Sequence, residues 1–284
     1  VMLTYGAYAL AAPAAVSVAT LPAVAEALLA WGTTGGVLAM ALCVVVPSLR
    51  EGLRPAWRWR LPRGLSKRAW ALAGAGIVAV AAQQGVIALI LVLASRAGGT
   101  GTLPLYQYSQ AVYLLPYAIL IVPVMTSVFP HLSELRLVGE KNSFSHIARA
   151  SMITVVTLGA VGGAALWGAA VGIESFFSAV DRSAVAGVGA TTAALALGLI
   201  GYGIVMHATR ILNANMRAGN ALVVGAVPWI IAGTLIVVCV LSAPTRRSAD
   251  AAALMGLCIA AGMTIGAMVA LAFLEERVYT VRDA

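Results

Sequence analysis

The sequence predicts an all-α protein, a polytopic transmembrane bundle of about eight helices. Of its 284 residues, 61% are hydrophobic and only 10% are charged, and the apolar residues fall in long, continuous runs. A soluble domain carries about 25% charged residues. A chain this poor in charge cannot cover a globule with polar side chains, so its outer surface must face lipid. Because the runs do not alternate with polar residues, they indicate spanning helices rather than spanning strands.

Eight apolar runs are long enough to be spans, since a helix needs about 20 apolar residues to cross the hydrocarbon core. We expect these spans near residues 2–25, 28–47, 69–95, 110–130, 147–173, 184–206, 220–242 and 251–274.

The basic residues are concentrated in alternate connections, which sets the predicted orientation. Seven of the eighteen lie between Arg50 and Arg68, and seven more lie in other connections on the same side or in the tail. The opposite side carries four, namely Arg96, Arg182, Arg246 and Arg247. Since cytoplasmic loops are enriched in lysine and arginine, we expect both ends of this chain in the cytoplasm. Basic loops beside spans also attract anionic lipids, so the net charge of +8 does not indicate a nucleic-acid partner.

The fourth predicted span combines prolines with polar side chains. Pro116, Pro123 and Pro130 recur every seven residues, about two helical turns, and therefore fall near one face. Each proline lacks an N–H and displaces the carbonyl four residues earlier, so backbone groups on this face need a neighbouring helix or a water-filled cavity. The pattern predicts either a curved, packed helix or a cavity-lining helix that bends. Gln110 and Tyr113 precede the first proline as candidate cavity residues.

Two other places carry polar groups in or next to the predicted spans. Gln83 and Gln84 lie in the middle of the third span, and either an interhelical hydrogen bond or a polar cavity wall explains them. After the sixth span, polar residues recur at three- and four-residue intervals, which predicts one polar stripe of His207, Arg210, Asn213, Arg217 and Asn220. The stripe is either a solvated helix end or a gate at which Arg210 contacts an anionic group.

Residue types that carry catalysis are scarce. No aspartate or glutamate lies in the middle of a predicted span, and the three histidines lie at span ends without carboxylate or cysteine partners at catalytic spacing. No phosphate-binding glycine loop is present. The sequence therefore predicts no catalytic residues, no metal site and no cofactor, and it favours a protein that is not an enzyme.

Several segments, taken in order, resemble the MurJ/MviN family of lipid II flippases, which belong to the multidrug/oligosaccharidyl-lipid/polysaccharide exporter superfamily. The clearest segment runs from Tyr108 to Ser133, with Leu115-Pro116 and Pro130-x-Leu132 inside it, and it is similar to the eighth family helix. The segments around four other places are more weakly similar to neighbouring family helices: Gly32-Thr-Thr-Gly35-Gly36, Gln83-Gln84, Phe176-Phe177 and Arg210. The resemblance covers roughly residues 28–274 and places the chain at the fifth to twelfth family helices.

The resemblance implies part of a two-lobed exporter fold. Residues 1–47 correspond to the last two helices of an N-terminal lobe, 48–68 to a basic cytoplasmic loop, 69–274 to a six-helix C-terminal lobe and 275–284 to a cytoplasmic tail. The implied function is translocation of a lipid-linked peptidoglycan precursor, lipid II, across the cytoplasmic membrane by alternating access. The implied partners are that lipid-linked cell-wall precursor, membrane lipids and cell-wall synthesis proteins.

The chain also departs from the family pattern. The family often has an Asp-Arg pair where this chain has Gln110-Ala111, some members have an Asp or Asn where it has Ile90, and the family's usual Asp aligns with Arg217. Ion coupling and headgroup binding therefore do not transfer residue by residue. Two alternatives stay open: an exporter of another polyprenyl-linked glycan or drug, and a non-transporting scaffold for cell-wall synthesis. The apolar start at Val1 and the missing first four family helices indicate a portion of a longer protein.

Overall fold

A computed structural model describes residues 23–52, 65–99, 101–180, 186–242 and 247–279. All regular structure within these ranges is helical, which confirms the predicted fold class. The chain divides into two compact units, Val1–Pro62 and Arg63–Ala284. In the first unit, α1 (Ala23–Arg50) corresponds to the span predicted near 28–47. Most of the span predicted near 2–25 lies outside the described residues.

The second unit consists of a bundle of helices with two π-helical turns. Its elements are α2 (Leu65–Gly98), α3 (Thr102–Pro116), a π turn (Tyr117–Ile121), α4 (Val122–Val138), α5 (Lys141–Gly168), α6 (Ala170–Val180), α7 (Val188–Ala196), α8 (Leu199–Ala214), α9 (Ala218–Leu241), α10 (Ser248–Leu274) and a terminal π turn (Glu275–Tyr279). Five helical runs in the described part are long and apolar enough to cross a membrane, or six if the bent pair α7–α8 forms one span. The chain is a multi-pass membrane protein.

Two predicted spans have different bounds in the structure. The span predicted near 110–130 is one helical run from Thr102 to Val138, because hydropathy detects only its apolar middle. The span predicted near 184–206 is bent by 49° between α7 and α8. At this bend a Cβ added to Gly198 would lie 2.6 Å from the Cα of Ala260, so α10 leaves no room for a side chain there.

The centre of the second unit is α10, which contacts α2, α3, α7, α8 and α9. Small residues permit this packing. A Cβ added to Gly201 of α8 would lie 2.6 Å from the Met263 carbonyl oxygen, and one added to Gly262 would lie 2.7 Å from the Pro228 carbonyl oxygen. Backbones that approach this closely fix α10 against two neighbours at once.

The connections gather at two ends of the bundle. At the Gly98 end (residues 98–102, 186–188 and 247–251), the Ser248 hydroxyl donates to the Gly98 carbonyl at 2.8 Å. At the Ala214 end (residues 138–141, 214–218 and 274–279), the guanidinium of Arg149 lies 4.8 Å from the Tyr279 ring centroid. Burial raises the pKa of Tyr279 to about 12, so its hydroxyl remains a donor to the Ala148 carbonyl at 3.5 Å. The terminal π turn is thereby held against α5.

The outer faces of the bundle are apolar. Large side chains that are more than half exposed occur along several helices, including Ile77, Ile119, Val161, Ile230 and Met268. Exposed apolar side chains on several helices of a spanning bundle are the ones that lipid covers.

Glu174 ties α6 to the beginning of α7. Its Oε1 accepts a hydrogen bond from the Gly187 N–H, and its Oε2 accepts one from the Gly189 N–H, both at 2.6 Å. The first N–H groups of a helix have no partner within the helix and carry partial positive charge. The carboxylate therefore caps the beginning of α7, although residues 181–185 separate the two helices in sequence.

Glu174→Gln should destabilise the second unit by about 1.5–2 kcal/mol, because an amide can accept only one of the two bonds and carries no charge. The melting temperature of the protein in detergent measures this loss. Glu134→Gln is the matched control, since Glu134 is an exposed carboxylate that lies 4.0 Å from the exposed His131 and such pairs contribute little. Equal melting temperatures for the two variants would contradict the capping role.

Helix α8 ends in a turn that requires an unusual backbone conformation at Met216. The Met216 N–H donates to the Asn213 carbonyl at 3.0 Å and the Arg217 N–H to the Leu212 carbonyl at 2.9 Å. Met216 has a φ of 59°, in the left-handed region that glycine adopts most easily. The same role at the end of α4 is filled by Gly139, with a φ of 85°.

Met216→Gly should stabilise the protein by about 0.5–1 kcal/mol by relieving this conformation. Gly139→Ala is the reciprocal control and should destabilise it by a similar amount. Thermal unfolding of both variants beside the parent tests the pair, and a lower melting temperature for Met216→Gly would refute the expectation.

Candidate functional site

Arg210 is a half-buried cation near the end of a spanning helix. It lies on α8, one turn before Asn213, which is also half-buried. Within the described part of the chain no carboxylate lies within ion-pair distance of it. Arg210 lies one turn after His207 on α8, and the π turn that holds Tyr117 packs against the same helix. A guanidinium without an anionic protein partner can bind an anionic oxygen through several N–H groups at once.

An aromatic cluster extends from Tyr117 into the core. The ring of Tyr202 meets that of Tyr117 edge-on at 4.7 Å between centroids. Tyr202 also lies 6.2 Å from Tyr113 and 6.4 Å from Trp229. Tyr113, a predicted cavity residue, is 4% exposed, and within the described ranges its hydroxyl has no hydrogen-bond partner. The structure therefore places Tyr113 inside the packed core behind Tyr202.

The predicted proline face is interrupted by the π turn. A π turn holds about one more residue than an α turn, so the helix after it is rotated relative to the helix before it. Accordingly Pro116 is half-buried, and a Cβ added to Gly162 of α5 would lie 2.8 Å from its Cβ, whereas Pro123 and Pro130 are exposed. The Thr126 hydroxyl donates to the carbonyls of Val122 and Pro123 at 2.9 and 3.0 Å. This run is thus a bent helix with locally altered backbone hydrogen bonding.

The three predicted glutamines occupy three different environments. Gln83 is half-buried on the face of α2 that packs against α9. Gln84 is exposed on the adjoining face. Gln110 is half-buried on α3, towards the Gly98 end. The structure therefore does not gather the three amides into one cluster.

Of these amides, Gln83 lies nearest to the level of Arg210. A Cβ added to Gly225 of α9 would lie 3.0 Å from the Cβ of Ala79 and 3.8 Å from the hydroxyl of Thr209. Ala79 is one turn from Gln83 along α2, and Thr209 precedes Arg210 along α8. Three helices thus converge at the level of Arg210, with Gln83 about one turn away.

His207 was expected near a span end without carboxylate or cysteine partners, as the start of a polar stripe; the structure buries it. Its side chain is 1% exposed, and its Nε2 lies 2.9 Å from the Ser151 hydroxyl of α5. The sequence does contain a signal for this burial, because His207 lies four residues from both Gly203 and Ile211 and so shares a helix face with them. In the structure both of these residues are buried. The stripe that begins at His207 ends at Asn213, since α8 stops at Ala214.

Within the described residues no group of three or more His, Cys, Asp and Glu side chains is placed to hold a metal ion. The chemistry that this arrangement offers is recognition of an anion by Arg210, with aromatic and amide groups around it.

The sequence also matches a known protein family. The family model described as "Lipid II flippase MurJ" matches residues 9–280, which is nearly the whole chain. No solved structure matches the chain.

Proposed function

The chain belongs to the MurJ lipid II flippase family, and we propose that it takes part in moving lipid II across the cytoplasmic membrane. The family match confirms the resemblance found in the sequence. In our proposal the polar headgroup passes through the protein while the lipid tail stays in the bilayer, so the chain transports its substrate and catalyses no covalent reaction.

The observation that carries the proposal is Arg210. A half-buried cation near the end of a spanning helix, with no carboxylate partner among the described residues, is available to bind an anion, and the diphosphate of a lipid-linked precursor is such an anion. Tyr117, on the π turn that packs against α8, and Asn213, one turn after Arg210, are proposed to add hydrogen bonds to the same headgroup. Gln83 is proposed to join them from α2, and Gln84 and Gln110 are proposed to face the path of the headgroup.

The proposed mechanism is alternating access, in which two helical lobes rock around a central cavity. Residues 1–47 are proposed as the end of one lobe and 69–274 as the other, joined by the basic loop 48–68 and followed by the tail 275–284. Pro116, Pro123 and Pro130, with the π turn between the first two, supply a helix that can change its bend. Cell-wall synthesis proteins are proposed as partners at the membrane.

The proposed orientation rests on charge. Basic side chains of the described residues are more numerous towards the Ala214 end, where Arg136, Lys141, Arg149 and Arg217 lie, than towards the Gly98 end, where Arg96 and Arg247 lie. By the positive-inside rule, we propose that the Ala214 end is cytoplasmic and that both ends of the chain lie on that side.

Reconstitution tests the proposal directly. The full chain is placed in liposomes with fluorescent lipid II, and a membrane-impermeant quencher reports how fast the label changes leaflet. Faster exchange of lipid II than of a polyprenyl-diphosphate oligosaccharide without peptidoglycan sugars supports the proposal. Equal rates for both lipids favour a general polyprenyl-glycan exporter, and no acceleration over protein-free liposomes favours the scaffold.

A further inference from the structure

The hydrogen bonds around His207 define which ring nitrogen carries its proton. The Ser151 hydroxyl donates to the Ala148 carbonyl at 3.1 Å, so its oxygen is left to accept from the histidine. Nε2, at 2.9 Å from that oxygen, is therefore the protonated nitrogen of the neutral ring.

The other ring nitrogen, Nδ1, does not take part in these hydrogen bonds. Nδ1 of His207 is buried and has no hydrogen-bond partner among the residues that the structure describes. A neutral imidazole in this tautomer presents a lone pair at Nδ1, and a buried acceptor without a donor carries a free-energy cost. Taking up a proton there would leave the bond from Nε2 to Ser151 intact, because both nitrogens of a charged imidazolium are donors.

The groups around His207 decide when such a proton can bind. On its own helix lie Tyr202 and Arg210, and the facing π turn contributes Tyr117. The elements packed around α8 carry the following other charged or titratable groups: Lys141, His146 and Arg149 on α5, His131, Glu134 and Arg136 on α4, Cys239 on α9, Asp250 and Cys258 on α10, and Glu275, Glu276 and Tyr279 in the terminal π turn.

Burial itself disfavours a charged imidazole at His207, which is 1% exposed. The charged side chains of α4 and α5, and those of Glu275 and Glu276, are exposed, and Asp250 lies at the far Gly98 end. Arg210 lies one turn after His207 on the same helix. Two positive charges one turn apart in a low-dielectric interior repel strongly. As long as Arg210 is unpaired, a second positive charge on the histidine is therefore unfavourable.

We propose that His207 is a proton-binding site that is filled when an anionic diphosphate pairs with Arg210, so that a proton moves together with the headgroup. This rests on the proposed function. The proton comes from water that enters with the headgroup, forms an N–H bond at Nδ1, and returns to water when the headgroup leaves, and no other bond changes. By linkage, diphosphate binding favours the proton and the proton favours diphosphate binding to the same extent.

Calorimetry with farnesyl diphosphate tests the coupling. The full chain in phosphatidylcholine nanodiscs is titrated in two buffers of different ionisation enthalpy, which gives the number of protons taken up per ligand. The wild type should take up about one proton more than His207→Gln, and its affinity should fall up to about tenfold more per pH unit as the pH rises. His146→Gln, a histidine at the Ala214 end of α5, should behave as the wild type, and titration of the diphosphate itself cancels between the variants.

A second measurement covers a His207→Gln variant that fails to fold. In the wild type, the 15N chemical shift of Nδ1 should move from the unprotonated to the protonated range on addition of farnesyl diphosphate. Ser151→Ala should lower the melting temperature yet keep the proton uptake, which separates proton binding from a purely structural contact.

The outcomes are distinguishable. Binding without extra proton uptake and without the Nδ1 shift overturns the inference and leaves the proposed function in place. If farnesyl diphosphate does not bind to the wild type at all, the headgroup site at Arg210 fails and the inference fails with it.

Discussion

Arg210→Gln is expected to reduce lipid II translocation in proteoliposomes by about 10- to 100-fold. The guanidinium is half-buried and has no carboxylate partner among the described residues, so its charge is available to a substrate anion. A charge-assisted hydrogen bond is worth about 1.5–3 kcal/mol, which corresponds to this range of rates. Glutamine keeps a donor of similar reach and removes the charge, so the folded bundle should be retained.

Two controls sharpen this expectation. Arg210→Lys keeps the charge but loses the planar fork that binds two oxygens, and it should recover part of the lost rate. Arg136→Gln removes an exposed cation from the same end of the bundle and should leave the rate nearly unchanged. If Arg210→Gln transports as fast as the parent, Arg210 does not bind the headgroup.

Gly266→Val is expected to destabilise the bundle by about 3 kcal/mol, since it forces a side chain into a closely packed contact. A Cβ at this position would overlap the ring of Pro228 on α9. One turn earlier, a Cβ at Gly262 would lie 2.7 Å from the Cβ of Ala232. Little relaxation is available, because the obstructing atoms belong to backbone and to a rigid ring. Thermal unfolding in detergent and the yield of monodisperse protein both report the loss.

The matched control is Gly172→Val on α6. Gly172 has the same four-residue spacing from Gly168, but no atom of the described part of the chain lies within 4 Å of a Cβ added at either position. Valine there should change the melting temperature little. Similar losses for Gly266→Val and Gly172→Val would show that helix propensity, and not the contact with Pro228, determines the result.

Glycine spacing predicts some of the close helix contacts correctly and others not. The spacing of Gly159 and Gly163, like that of Gly262 and Gly266, indicates close helix contacts, and the structure places both pairs against neighbouring helices. The same spacing at Gly168 and Gly172 makes no contact, because α5 ends at Gly168 and α6 begins after it. Spacing predicts a contact only where one helix is continuous, and continuity depends on tertiary packing.

Some features of the candidate site were also predicted from the sequence, and others were missed. Half-burial of Arg210 and Asn213 is compatible with the polar stripe read from the sequence, because i, i+3 spacing keeps them on one face. The buried pair of His207 and Ser151 was missed, since the two residues are far apart in sequence and only the packing of α8 on α5 joins them. The rotation that separates Pro116 from Pro123 and Pro130 was also missed, because a π turn has no simple hydropathy pattern.

The central claim is that polar groups of the second unit line a path reached by water from alternate sides. Cysteines at Gln110 and at Asn213, in a chain whose Cys43, Cys239 and Cys258 are replaced by alanine, test it with a membrane-impermeant maleimide. Val161→Cys, on an exposed apolar face, is the unreactive control. The account predicts labelling of Asn213→Cys from the cytoplasmic side and of Gln110→Cys from the outer side, with lipid II changing their ratio. Failure of both cysteines to react from either side, with or without lipid II, would contradict it.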